Sequence, residues 1–94
     1  MGVFMNKIYV LINCKTGTVE EVRDAIAKIE GVSEVSSVTG RCDIIARLEG
    51  PNLNKLLVTV AREIHKVKGV EKTETLVAPD LDISDESQPV LKVI

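Results

Sequence analysis

The segments Ile29-Glu30-Gly31-Val32 and Val67-Lys68-Gly69-Val70 carry the same pattern twice: the last turn of a helix, a glycine, then a β-branched residue that opens a strand. Glycine adopts the left-handed conformation that closes a helix without steric cost. A chain that writes this ending twice is built from two similar half-units. What precedes and follows each copy decides the fold.

Before the first copy, Lys7–Cys14 reads KIYVLINC, rich in β-branched and apolar residues and too short for a buried helix, so it is a strand. Gly17 marks a turn, and Thr18 followed by Glu21 matches a capping box. Val19, Val22, Ile26 and Ile29 then recur at helical spacing, opposite Glu20, Arg23, Asp24 and Lys28. After the glycine, residues 32–39 read as a second strand, Thr39-Gly40-Arg41 as a tight turn, and residues 42–49 as a third strand. Gly50-Pro51-Asn52 opens the next helix, with either Asn52 as its cap or Pro51 as its first residue. Leu53, Leu57, Val60, Ile64 and Val67 form its apolar stripe, and residues 70–78 make the fourth strand.

The order strand, helix, strand, strand, helix, strand is the ferredoxin-like βαββαβ arrangement. The expected fold is α+β: a four-stranded antiparallel sheet with both helices on one face. Residues 1–94 make one domain, with a core over 7–78 and an extension over 79–94. Asp80, Asp82, Asp85 and Glu86 form an acidic linker in that extension. Val90–Ile94 is apolar enough to be read as a C-terminal edge strand, on this sheet or on a partner's.

Alternation across the strands raises a problem of coverage. In the first strand Ile8, Val10 and Ile12 point one way, Tyr9 and Leu11 the other; in the third, Ile45 shares the second side with Asp43 and Arg47. Two helices cover one face only, and a sheet face left in water should be polar. Tyr9, Leu11 and Ile45 are therefore the expected dimer interface, since exposed apolar patches mark association. A chain of 94 residues also gains stability from added burial.

The remaining composition narrows function by exclusion. The formal net charge is −2 with no basic patch, which lacks the footprint of a nucleic-acid binder. No apolar run reaches the ~18 residues of a membrane span. The start, MGVFMNK, has no signal-peptide pattern, and Met5 is a candidate true start behind an upstream extension. The expected location is cytoplasmic. His65, the one histidine, cannot build a metal site alone, and it is placed on the surface late in the second helix. Cys14 and Cys42 form no C-x-x-C motif. Taking the first and third strands as parallel puts these thiols at opposite ends of the sheet, so no disulfide and no reactive pair is expected. No catalytic constellation is visible.

The informative cluster is Thr39-Gly40-Arg41-Cys42-Asp43. A glycine turn presents backbone N–H groups to an anion such as a carboxylate. The Thr39 hydroxyl can donate or accept, and Asp43 can hold an ammonium group. An α-amino acid needs such a pair of sites. The alternative is a plain turn in which Asp43 pairs with Arg41 or Arg47.

The run Val38-Thr39-Gly40-Arg41-Cys42-Asp43-Ile44-Ile45 resembles the V-T-G-x-Y-D signature of the effector-binding domain of Lrp/AsnC regulators. The likeness extends to both helix-ending glycines and to Thr73-Glu74-Thr75-Leu76-Val77, about residues 7–78 in all. It implies an effector-binding and oligomerisation module that regulates transcription or amino acid metabolism. It implies an amino acid effector held by Thr39, Gly40 and Asp43, with Thr75 and Val77 as further contributors. It implies dimers joined through their sheets and arranged in a ring such as an octamer, a possible full-length Lrp/AsnC regulator as partner, and no cofactor. Beginning at the first strand, the chain looks like a stand-alone form without the family's helix-turn-helix domain, hence with no direct nucleic-acid contact. The departure is Cys42, where the family carries an aromatic residue.

Three other readings share this topology. A small dimeric α+β-barrel monooxygenase needs a polar or aromatic pocket on the sheet, for which only Tyr9 and Asn13 are offered. An RNA-binding domain needs aromatic residues on both central strands. An ACT-like regulatory domain has its ligand turn after the first strand rather than at Thr39-Gly40.

Overall fold

The computed structural model describes residues 5–78. The extension over 79–94, with its expected edge strand at Val90–Ile94, lies outside them. Within them run β1 (Asn6–Cys14), α1 (Val19–Ala27), β2 (Val32–Ser37), β3 (Ile44–Gly50), α2 (Leu53–Thr59), a π-helical segment (Val60–Ile64) and β4 (Val70–Ala78). The strands form one antiparallel sheet in the order β2-β3-β1-β4. This is the expected βαββαβ fold, with β1 and β3 at the centre.

The core is aliphatic and lies between the sheet and the helices. Ile8, Val10 and Ile12 of β1 and Ile44, Ala46 and Leu48 of β3 are fully buried with Val22, Ile26 and Ile64 of the helical layer. The strict alternation of buried and half-buried residues in β1 and β3 shows helices on one side only.

The helical details depart from the expected pattern in two places. Thr18 does not cap α1: its hydroxyl donates to the Lys15 carbonyl at 2.7 Å, and no side-chain cap bond is made. At α2 the cap is Asn52, whose Oδ1 accepts the Lys55 N–H at 3.0 Å. The apolar stripe of α2 uses Leu56, which is buried, while Leu57 is 36% exposed. Both leucines fit helical spacing from Leu53 to Val60, so periodicity alone does not separate them.

β1 and β3 are antiparallel, not parallel, with Ile12 opposite Ile44. Cys14 at the end of β1 and Cys42 just before β3 therefore lie at the same end of the sheet. Both thiols are free and buried. Cys14 packs in the core cluster, which does not include Cys42.

Candidate functional site

At this end of the sheet the backbone ladder stops and a side chain continues it. The regular β1–β3 register ends at the pair Ile12–Ile44. The Asp43 N–H donates to the Ile12 carbonyl at 2.9 Å. Two residues further along β1, the Asp43 carboxylate replaces a backbone acceptor, with Oδ2 accepting the Cys14 N–H at 2.8 Å. Neither Arg41 nor Arg47 pairs with it. Arg47 lies between Glu34 (3.5 Å) and Glu49 (3.0 Å) on the open face, and the Arg41 side chain makes no ion pair among the described residues.

The connection between β2 and β3 is closed by the Val38 N–H donating to the Asp43 carbonyl at 2.9 Å. Asn13 of β1 braces it from outside, its Nδ2 donating to the Arg41 carbonyl at 3.0 Å. Thr39, Gly40 and Arg41 project as an exposed tip. Gly40 has φ +127°, a conformation other residues rarely adopt, and a Cβ placed on it would meet nothing within 4 Å. The tip is open to an approaching molecule. Behind it stands a half-buried carboxylate with one oxygen fixed by the backbone and the other without a hydrogen bond among the described residues.

Asn13 and Cys14 thus belong to the frame of the turn, which the sequence reading did not include. The signal was present: in an antiparallel pair the end of the first strand meets the start of the third. Burial pushes the Cys14 thiol above its ordinary range, with smaller contributions from the Asp43 and Glu71 charges. A thiol so placed stays protonated at neutral pH and is a poor nucleophile.

Thr75 and Val77 do not join the turn. Thr75 pairs with Val10 and Val77 with Ile8 on β4, a sheet edge on the far side of β1 from the turn. Val10 alone lies about 13 Å along the strand from Cys14. Thr75 is half-buried and Val77 is 44% exposed, both on the helix-facing side by register.

The expected interface residues do share a surface. Tyr9 lies between Arg47 and Leu76, and Leu11 between Ile45 and Glu74, all facing away from the helices. Tyr9, Leu11 and Ile45 are half-buried and Leu76 is 46% exposed. His65 is exposed and its Nε2 lies 2.7 Å from the Thr73 hydroxyl, tying the end of the π-helical segment to β4. No group of His, Cys, Asp and Glu suited to a metal ion occurs among the described residues. No helix there is long and apolar enough to cross a membrane.

The fold is thus a split βαβ sheet with helices on one face and a glycine turn backed by the Asp43 carboxylate. The chain belongs to the Lrp/AsnC ligand binding domain family, whose model matches residues 7–80. An uncharacterized HTH-type transcriptional regulator of Pyrococcus furiosus is 38% identical over 61 residues, 65% of this chain and 41% of the relative. The chain thus spans about two fifths of that curated relative. A crystal structure of a Thermus thermophilus protein matches with 37% identity and a TM-score of 0.74, covering 78% of this chain and 91% of that one. A Neisseria meningitidis transcriptional regulator in complex with L-Met shares the fold at 15% identity and a TM-score of 0.66, covering 89% of this chain and 56% of that one. The family model describes a ligand-binding domain, and the curated relative is a transcriptional regulator.

Proposed function

We propose that this chain binds an amino acid, or a close relative of one, at the turn formed by Thr39, Gly40 and Asp43, and that it works as an assembly of copies. The observation that carries this reading is the Asp43 carboxylate. The Cys14 N–H holds one oxygen, so the group is oriented before any ligand arrives. The second oxygen accepts an ammonium group, and such charge-assisted bonds are the strong ones. The ligand carboxylate meets the bare backbone at Gly40 and the guanidinium of Arg41, beside the Thr39 hydroxyl. The L-Met complex of the Neisseria meningitidis regulator lends support from a protein of the same fold.

The open sheet face supports the reading of an assembly. Tyr9, Leu11, Ile45 and Leu76 form an apolar strip there, flanked by Arg47, Glu34, Glu49 and Glu74. Two copies joined through this face form a dimer, and dimers assemble into a ring such as an octamer. Thr75 and Val77 are too far from the turn of their own chain to touch its ligand. Any contribution from them comes from a neighbouring subunit. The chain regulates transcription or amino acid metabolism without itself contacting DNA, consistent with its net charge of −2. A full-length regulator of the same family is a suitable partner.

Titration calorimetry tests the site. Asp43→Asn keeps an oxygen for the Cys14 N–H and removes the charge. It should weaken amino acid binding by about 1.5–3 kcal/mol, the range for a hydrogen bond to a charged group. Unchanged affinity in Asp43→Asn would move the ligand to another place.

A further inference from the structure

At the opposite end of the sheet from the turn, a half-open cleft of about 720 Å³ lies between the end of α1 and the helical segment that begins with α2. That volume falls within the range of small-molecule sites. One wall is the end of α1 and the loop after it: Ala25, Lys28, Ile29, Glu30 and Gly31. The other is the line Lys55, Thr59 and Glu63, and the floor is Gly50 and Leu56. The floor is apolar and tight, since a Cβ on Gly50 would stand 3.3 Å from Leu56 Cδ2.

The π-helical segment puts Glu63 in that wall. Lys55 to Thr59 overshoots one α turn of 3.6 residues. Thr59 to Glu63 falls short of the wider π turn, recorded in the His65 N–H bond to the Val60 carbonyl at 3.1 Å. The two offsets oppose each other, so the three side chains stay in line instead of drifting around the helix. π segments inside helices are uncommon and frequently accompany functional sites.

The cleft carries both charges without internal pairing. Lys28, Lys55, Glu30 and Glu63 make no ion pair among the described residues, whereas Glu49 is held by Arg47 at 3.0 Å. Lys55 and Glu63 stand about 12 Å apart along the axis at 1.5 Å per residue. The charges of an α-amino acid sit on neighbouring carbons and cannot span that line. We infer that this cleft is a second small-molecule site, distinct from the turn, for an elongated zwitterion whose carboxylate meets Lys55 and Lys28 at one end and whose ammonium meets Glu63 at the other, over an apolar chain lying on Ile29 and Leu56. The cleft lies on the helical side, so a dimer joined through the open sheet face leaves it accessible.

The test is a residue-resolved NMR titration of the full ¹⁵N-labelled chain with 6-aminohexanoate, with hexanoate and hexylammonium as single-charge controls. Saturable shifts of the Ile29, Gly31, Gly50 and Leu56 amides are expected with 6-aminohexanoate, and weaker ones with either control. Lys55→Gln and Glu63→Gln, both exposed and harmless to the core, should each raise the Kd roughly two- to fivefold, as exposed ion pairs do. The inference is overturned by absent shifts at those amides up to roughly 20 mM, well above a millimolar Kd. It is equally overturned by controls that shift them as strongly, or by variants that bind like the parent. The Gly40 and Asp43 amides report the turn separately under α-amino acids, so failure at one site is read independently of the other.

Discussion

Gly31 and Gly69 hold equivalent places in the two half-units and nearly the same backbone, with φ of +100° and +104°. Their surroundings differ. A Cβ on Gly31 meets nothing within 4 Å, while one on Gly69 would lie 2.7 Å from Val22 Cγ2 and 2.9 Å from Thr18 Oγ1. The backbone strain of an alanine is therefore shared, and the clash belongs to Gly69 alone. Gly69→Ala should destabilise the domain by about 1–3 kcal/mol more than Gly31→Ala, the usual cost of overpacking. Urea unfolding of the two variants measures the difference, and equal losses would mean that α1 yields to the added methyl group.

Asp43 is the other residue whose role is sharper than its place in the sequence suggested. The resemblance singled it out as a ligand contact, but the structure gives it a second task as acceptor for the Cys14 N–H. Asp43→Ala should leave that part-buried donor without a partner, at a cost of about 1–3 kcal/mol. Asp43→Asn should retain most of the stability, and this contrast is readable in the same unfolding experiment. The tie is hidden in the sequence as long as the first and third strands are read as parallel. Antiparallel pairing brings Asn13 and Cys14 beside the turn, and it brings both cysteines to one end.

At the scale of the elements, strand existence and order were legible because alternation and glycine punctuation both pointed to them. The half-unit repeat alone predicts two helices packed on one sheet face. What the pattern left open was rotation about a helix axis: Leu56 and Leu57 satisfy the same spacing, and only packing against Gly50 and the sheet selects Leu56. Capping shows the same ambiguity. Thr18 and Asn52 are both good N-cap residues, yet only Asn52 bonds into its helix. Asn52→Ala should cost about 0.5–2 kcal/mol, whereas Glu21→Ala, which breaks only an unformed capping box, should cost little. Thermal unfolding of both variants distinguishes them.

For the whole molecule, the proposed function rests on two features, the open sheet face and the turn. Ile45 sits at the centre of that face, paired with Leu11. Ile45→Lys should disperse the assembly, because it places an unpaired charge in a dry interface. Light scattering at micromolar concentration should then give the mass of a single chain where the parent gives at least two. A monomeric parent would refute the interface. None of this was visible in Thr75 and Val77, whose place on a distant edge strand separates them from the turn within one chain.

The central claim, an amino acid held at the Asp43 turn, is tested most directly by thermal unfolding of the parent and Asp43→Asn against each proteinogenic amino acid. A ligand at about 100 times its Kd adds about 2.7 kcal/mol of stability. For a domain of this size that raises the midpoint by roughly 10 °C or more. The expected result is one amino acid, or a few of related shape, that shifts the parent in this way and shifts Asp43→Asn much less. No shift with any amino acid, or an equal shift in both proteins, would contradict it.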